Sequence, residues 1–341
     1  MAATLQMPHY TMKDTETAVP VLRPLPPFGY VDLPEIKATV GTGWLPEFPD
    51  LRDYTDEHPE ILKIVENLGI TKAKKMKATL PNNIDLRQWC SPVENQGMLG
   101  SCTANAAVGI VEYFEKRAFG KYIDGARLFV YKTTRDLLGW TGDTGAYLRT
   151  TMAALALFGV PPETYWTYTD RTQPGITQER TFDEEPTAFI YQIADKFEAI
   201  NYFCHDPYGT PVPPANVLNS VKTYLSYGIP TMFGFWVFPS YNQTDVKGAF
   251  PFPTTGEKAF AGHAIVTVGY DDNIKITNLV NKKVTTGALL IRNSWGNTWG
   301  DKGYGWLPYD YLLSQYAQDF WSLLSMKWID VEKFQIKTLN P

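Results

Sequence analysis

Cysteine is scarce in this chain. Cys90, Cys102 and Cys204 are the whole complement of 341 residues. Three thiols cannot all pair, and no C-x-x-C spacing occurs, so a disulfide framework and a zinc ribbon are both excluded. Histidine is equally sparse: His9, His58, His205 and His263 are scattered, which argues against a zinc cage. No metal and no organic cofactor are expected. Basic charge is short as well. A formal net charge of −5 does not fit a nucleic-acid binder, which needs a concentrated basic face. The one local cluster, Lys72, Lys74, Lys75 and Lys77, reads as a solvated linker. Long apolar runs are missing too. The longest, MAALALFGV from Met152, is far too short to span a bilayer. The first twenty residues lack the basic and then apolar stretches of a secretory signal. Few cysteines in a large chain fit a reducing compartment. The expectation is a cytoplasmic protein with neither membrane nor nucleic acid as partner.

What is present is an ordinary globular composition, 44% apolar and 20% charged, with enough chain for a substantial core. Residues 1–54 are proline-rich and should run extended, because each proline fixes its own φ and biases its predecessor away from helix. A short helix is expected at about 57–68, with Asp56 as cap, Pro59 in the first turn and Ile61, Leu62, Val65 and Leu68 on one face. Helical spacing recurs from Cys102 to Phe119, ended by Gly120, then at about 147–157 and 215–226. After Gly228 the pattern changes to short apolar and aromatic runs broken by Gly, Asn and Asp, which read as antiparallel strands. Helices first and strands later predict an α+β fold with two lobes.

The stretch NQGMLGSCTANAA, from Asn95, places Cys102 where a glycine-rich loop becomes a helix. A thiol of ordinary pKa, roughly 8.5, is mostly un-ionised near neutrality, and a helix start with a cationic neighbour lowers it. With Ser101 as N-cap, the helix would favour negative charge on the Cys102 sulfur. A nucleophilic thiolate needs a base, and the base needs an orienting group. His263, in AGHAIVTVGYDD, begins a strand between small neighbours that leave room for a substrate. Asn293, in IRNSWGNTWGDKGYG, can accept from the imidazole and fix its tautomer, while Trp295 or Trp299 covers that bond. The Gln96 side-chain amide and the Cys102 N–H can together hold an oxyanion.

Taken in order, Q-G-x-x-G-S-C, G-H-A-x-x-x-V-G-Y and N-S-W-G-x-x-W-G-x-x-G-Y resemble the papain-like cysteine peptidases. The resemblance implies a helical left lobe and an antiparallel, β-barrel-like right lobe. It implies Cys102 as nucleophile, His263 as base and acid, Asn293 as orienter and Gln96 as oxyanion donor. By the same resemblance Gly145 and Ala146 offer backbone hydrogen bonds to an extended peptide. Gly234, Ala261 and Gly262 line a pocket for the second residue upstream of the cut, with Trp295 also beside the substrate. Two departures stand out: the family's cysteine three residues before the nucleophile is Leu99 here, and its disulfide partner is replaced by Asp143. The residue after the nucleophile is Thr103 rather than an aromatic. Extra length between Cys102 and His263 points to insertions at about 165–215. The division expected is an arm or pro-segment at 1–78, a peptidase domain at 79–325 and a tail at 326–341.

The activity this implies is a cysteine endopeptidase acting on peptides or proteins and restrained, as in a zymogen, by its own arm in or near the cleft. An exopeptidase or transpeptidase with the same nucleophile, and a catalytically silent peptide-binding module, are the alternatives.

Overall fold

The computed structural model describes residues 29–34, 36–47, 50, 53–75, 79–170, 181–197, 199–207, 212–245, 247–326 and 329–330. The proline-rich run before Gly29, His9, Lys77, the tail after 330 and the stretches 171–180 and 208–211 of the expected insertion lie outside them.

The helical half is built around α3 (Cys102–Phe119). Alanines and a glycine on several faces let neighbours approach, and Cys102 through Glu115 are all buried. Gly120, at φ 69°, ends it in the left-handed region that a side chain resists. Around α3 pack α4 (Arg127–Leu137) and α5 (Leu148–Phe158). The α4 helix was not expected. Its Val, Tyr and two Thr favour strand, and its charges hide the helical period. Those charges are buried and paired instead: Arg135 meets Asp183 at 2.5 Å and Arg127 meets Glu94 at 2.9 Å.

The other half is an eight-stranded antiparallel sheet. Its strands are β3 (Asn83–Asp85), β4 (Ala199–Cys204), β5 (Thr231–Val237), β6 (Ala261–Thr277), β7 (Val284–Arg292), β8 (Tyr304–Pro308), β9 (Ala317–Met326) and β10 (Ile329–Asp330). The order is β10-β9-β5-β6-β7-β8, with β3 added on β6 and β4 on β9. Strand β5 is buried on both faces, sheet neighbours on either side and α3 against it. The helices α7 (Pro214–Ser226) and α8 (Tyr309–Leu313) cover the sheet beside β6 and β7. A further helix, α6 (Ala188–Ala194), precedes β4. Arg292, at the end of β7, crosses between the halves and donates to Ser91 Oγ at 2.9 Å and Pro92 O at 2.7 Å.

The segment before residue 79 departs from the expectation in three ways. A hairpin forms, β1 (Tyr30–Leu33) with β2 (Ala38–Gly41), turning through Lys37 at φ 51° and burying Val31, Leu33 and Val40. The helix α1 (Pro59–Asn67) starts from His58, because Asp56 is engaged elsewhere, in an ion pair with Lys74 and a 3.1 Å bond from Tyr224 Oη. The lysine-rich stretch is partly a helix, α2 (Ile70–Lys75), anchored by fully buried Ile70 and by that ion pair. Among the described residues no helix is long and apolar enough to cross a membrane.

Candidate active site

Cys102 opens α3 as the sequence implies, but Ser101 does not cap it. Its hydroxyl lies 2.6 Å from Tyr168 Oη and accepts from Asn105 Nδ2 at 3.1 Å. The sulfur is fully buried, within hydrogen-bonding reach of the backbone N–H groups of Ala264 and Gly43. Ala264 follows His263 on β6, so the start of α3 and strand β6 of the other half meet at this sulfur.

His263 Nε2 and Asn293 Oδ1 are 2.8 Å apart. The backbone N–H of Ser294 donates to the same oxygen at 2.8 Å, which identifies it as the amide carbonyl. An acceptor facing Nε2 requires the proton there. Nδ1 therefore carries the lone pair, and it is buried with no hydrogen-bond partner among the described residues. Trp295 stacks on the ring at 4.7 Å, Phe235 meets it edge-on at 5.8 Å, and Trp299 backs Trp295 at 5.4 Å. This aromatic box holds the imidazole pKa down to about 4, because burial penalises the cation more than the Asn293 bond favours it. Burial likewise pushes the Cys102 thiol up to about 12. The thiolate expected from sequence is thus not the form this closed geometry favours.

Gln96 is held from two sides: its N–H donates to Ser294 O at 2.9 Å and its Oε1 accepts from Ser294 Oγ at 2.5 Å. One side-chain N–H reaches Leu99 O at 2.7 Å; the other reaches Gly41 O at 2.9 Å.

Gly41 belongs to a stretch that runs along the cleft. Gly41 N donates to Gly97 O at 2.9 Å, Trp44 N to Gly262 O at 3.1 Å and Leu45 N to Ala146 O at 3.2 Å, and Ala146 N donates to Gly43 O at 2.8 Å. Trp44 and Ala146 thereby form a parallel bridge. The Trp44 indole fills the space left by two absent side chains. A Cβ on Gly234 would sit 1.9 Å from the indole, and one on Gly262 would sit 2.3 Å from the Trp44 carbonyl oxygen. Trp236 closes the pocket edge-on at 5.1 Å, and Asp319 Oδ2 accepts from the indole N–H at 3.0 Å. Of the two glycine-strand positions, Ala146 carries both backbone bonds, whereas the Gly145 N–H goes to Tyr131 Oη at 3.1 Å. Ala261 lies deeper, with its Cβ facing Gly29. Trp295 is on the far side of the imidazole, against the ring rather than against Trp44.

All three cysteines are unpaired. Asp143 ties the loop before Cys102 by hydrogen bonds instead: its carboxylate accepts from Gly100 N at 3.0 Å and from Tyr131 Oη at 2.5 Å. Asp143→Ala would strand both donors, at a cost of about 1–3 kcal/mol. The expected outcome is a lower urea midpoint with an unchanged slope, and an unmoved midpoint would show that the carboxylate holds nothing in place. Sequence reasoning missed Trp44 and Asp319. The paired glycines of GTGW were the available signal for the first, and a lone acid in AQDFW gave none for the second.

With this geometry established, comparison with known proteins is informative. The family model described as papain family cysteine protease matches residues 223–312. The chain is 30% identical to xylellain, a cysteine protease from Xylella fastidiosa, over 83% of this chain and 95% of that one, with a TM-score of 0.62. It is 28% identical to an uncharacterized peptidase C1-like protein of Acanthamoeba polyphaga mimivirus, over 88% of this chain and 91% of that one. It is 25% identical to human cathepsin L2, over 73% and 68% of the two chains. The protein belongs to the papain family of cysteine proteases. It is a cysteine peptidase with peptide or protein substrates.

Proposed function

We propose that the chain is a cysteine endopeptidase that works through Cys102, His263, Asn293 and Gln96 and is restrained by residues 41–45 of its own arm. The observation that carries this reading is the pairing of an oriented imidazole, Nε2–H on Asn293 and Nδ1 bare, with a thiol at a helix start next to the following residue of the same strand. In the open cleft the Cys102 proton passes to His263 Nδ1, and the helix start supports the thiolate. The sulfur attacks the peptide carbonyl carbon. The Gln96 amide and the Cys102 N–H take the oxyanion, a pair of donors of which each is worth about 3–4 kcal/mol in comparable sites. His263 gives its proton to the leaving amine as the C–N bond breaks. It then takes a proton from water, whose oxygen displaces the sulfur from the acyl-enzyme.

The restraint rests on direction. Upstream residues of a substrate precede the cut bond and would lie toward Ala146 and Gly262. The arm places later residues there, Trp44 and Leu45, and the earlier Gly41 at Gln96. It fills the donors of the cleft while running the opposite way, so no carbonyl is offered in productive register.

A thiol-directed epoxide tests the assignment. In molecules whose arm has left the cleft, mass spectrometry should find the adduct on Cys102 and not on Cys90 or Cys204, which stay buried with their pKa raised by that burial. Peptide hydrolysis should disappear as the adduct forms. An enzyme that stays active with Cys102 fully modified would end the reading.

A further inference from the structure

The two groups assigned to the oxyanion, the Gln96 amide and the Cys102 N–H, stand at opposite ends of one loop, and a side chain from outside it ties those ends together. Tyr168, near the start of the expected insertion, donates from Oη to the Gln96 main-chain oxygen at 2.8 Å. That phenol oxygen lies 2.6 Å from Ser101 Oγ. A carbonyl can only accept, so Gln96 O takes the Tyr168 proton and the Ser101 hydroxyl supplies the proton of the second bond. Asn105 Nδ2 donates in turn to Ser101 Oγ at 3.1 Å and to Ser101 O at 3.0 Å. The Asn105 backbone N–H also reaches Ser101 O at 3.0 Å, so the peptide that carries the Cys102 N–H is fixed by its carbonyl end. A single directed chain therefore runs from α3 through Ser101 and Tyr168 to Gln96, and each bond in it polarises the next. Tyr168 is itself held in place. Its N–H donates to Glu163 Oε1 at 2.5 Å, and the Arg127 guanidinium lies 4.5 Å over its ring, paired with Glu94 at 2.9 Å and Glu163 at 3.4 Å. Burial raises the phenol pKa, so the hydroxyl keeps its proton near neutrality.

We propose that Tyr168 is a positioning residue for catalysis: its hydroxyl sets the distance between the two oxyanion donors. The inference deepens the proposed cleft chemistry and rests on it. The loop needs such a tie. It carries glycine at 97, at φ 59°, and again at 100. Departure of the arm also removes the bond from Gly41 N to Gly97 O, at 2.9 Å. The insertion stays against the loop at that point, since an added Cβ on Gly97 would lie 2.8 Å from an Asp170 carboxylate oxygen. Oxyanion stabilisation demands donors within about 2.7–3.1 Å of the developing charge, and a misplacement of about 1 Å can cost about 100-fold. Alkylation by iodoacetamide makes no such demand. The sulfur–carbon bond forms as the carbon–iodine bond breaks, iodide leaves, and no oxyanion develops. A loosened loop should therefore slow acyl transfer and spare alkylation.

The experiment measures two rates in the full-length chain: kcat/KM for a fluorogenic peptide, and inactivation by iodoacetamide at Cys102. Both reactions need an open cleft, so their ratio does not depend on how often the arm leaves. Tyr168→Phe keeps the ring under Arg127 and deletes the hydroxyl. It should lower the ratio of hydrolysis to alkylation about 10- to 100-fold. Gln96→Ala should lower it about 100- to 1000-fold. Adding Tyr168→Phe to Gln96→Ala should then cost less than about threefold, since no pair of donors is left to align. A ratio unmoved by Tyr168→Phe, including an equal loss of both rates, would overturn the inference. So would the same fold-loss on the Gln96→Ala background, because the hydroxyl would then act elsewhere. Either result leaves the peptidase reading standing. A ratio unmoved by Gln96→Ala would instead overturn the oxyanion assignment on which the inference rests. If Tyr168→Phe does not fold, Ser101→Ala, which cuts the same chain at its next link, decides by the same ratio.

Discussion

Gly43→Val in the full-length chain should raise peptide hydrolysis about 5- to 150-fold. At Gly43 the arm lies against the body with no room for a side chain. An added Cβ would lie 2.0 Å from the Gly100 carbonyl oxygen and 2.5 Å from its carbonyl carbon, both backbone atoms. The Gly100 loop cannot give way cheaply, because its N–H is tied to Asp143 at 3.0 Å. Overpacking of this kind typically costs about 1–3 kcal/mol, which is the stated factor when it falls on one state of an open–closed equilibrium. The catalytic groups are untouched, so the gain should appear as a larger active fraction, with KM for any one peptide unchanged once active sites are titrated. Activity equal to that of the parent chain would mean that residues 41–45 do not restrain the enzyme.

Much of the fold could be read from sequence, for physical reasons that particular elements make clear. The α3 helix was legible because small and apolar residues recur at helical spacing and Gly120 provides a stop. Strands β5 to β8 were legible because short apolar and aromatic runs are broken there by Gly, Asn and Asp. The α4 helix was not, since Arg127, Lys132 and Arg135 are buried by partners distant in sequence, namely Glu94, Glu163, Glu185 and Asp183. No local pattern announces an ion pair of that kind. The β1–β2 hairpin was hidden for a different reason. Its turn carries Lys37 at positive φ where a glycine or asparagine would have been the signal.

At the candidate site the same contrast holds. His263 and Asn293 drew attention through small and aromatic neighbours, and a 2.8 Å contact joins them. Ser101 misled, because a good capping residue was bound instead to Tyr168 and Asn105 across the helix start. Trp44 and Asp319 meet over a separation of 275 residues, and only the fold brings them together.

The second large effect concerns the ionisation of Cys102. With the arm in place the thiol is pushed up to about 12 and the imidazole of His263 down to about 4. A thiol with a raised pKa keeps its proton at neutral pH, and a ring with a lowered pKa carries none, so the closed pair is neutral. Opening the cleft admits water and removes the burial that causes both shifts. The proton can then move from sulfur to Nδ1. Closed and open pairs hold one proton in common between the outer two titrations. Through this pair alone, arm closure should therefore be insensitive to pH near neutrality. What changes is reactivity. A thiol of ordinary pKa, roughly 8.5, is only about 0.3% ionised at pH 6, whereas a thiolate stabilised by an imidazolium is largely ionised there. Lower intrinsic nucleophilicity gives back part of that difference, leaving a rate ratio on the order of 100-fold.

The most direct test is the pH dependence of Cys102 alkylation in three full-length proteins: the parent, Gly43→Val, and Gly43→Val with His263→Ala. The account predicts rapid modification at pH 6 in Gly43→Val alone, falling roughly 100-fold when His263 is removed. In the parent chain it predicts the same pH profile as Gly43→Val, slower by about 5- to 150-fold at every pH, because only the open fraction reacts. Three curves rising together through a single midpoint near that of an ordinary thiol would contradict it, because neither the imidazole nor the arm would then control the sulfur.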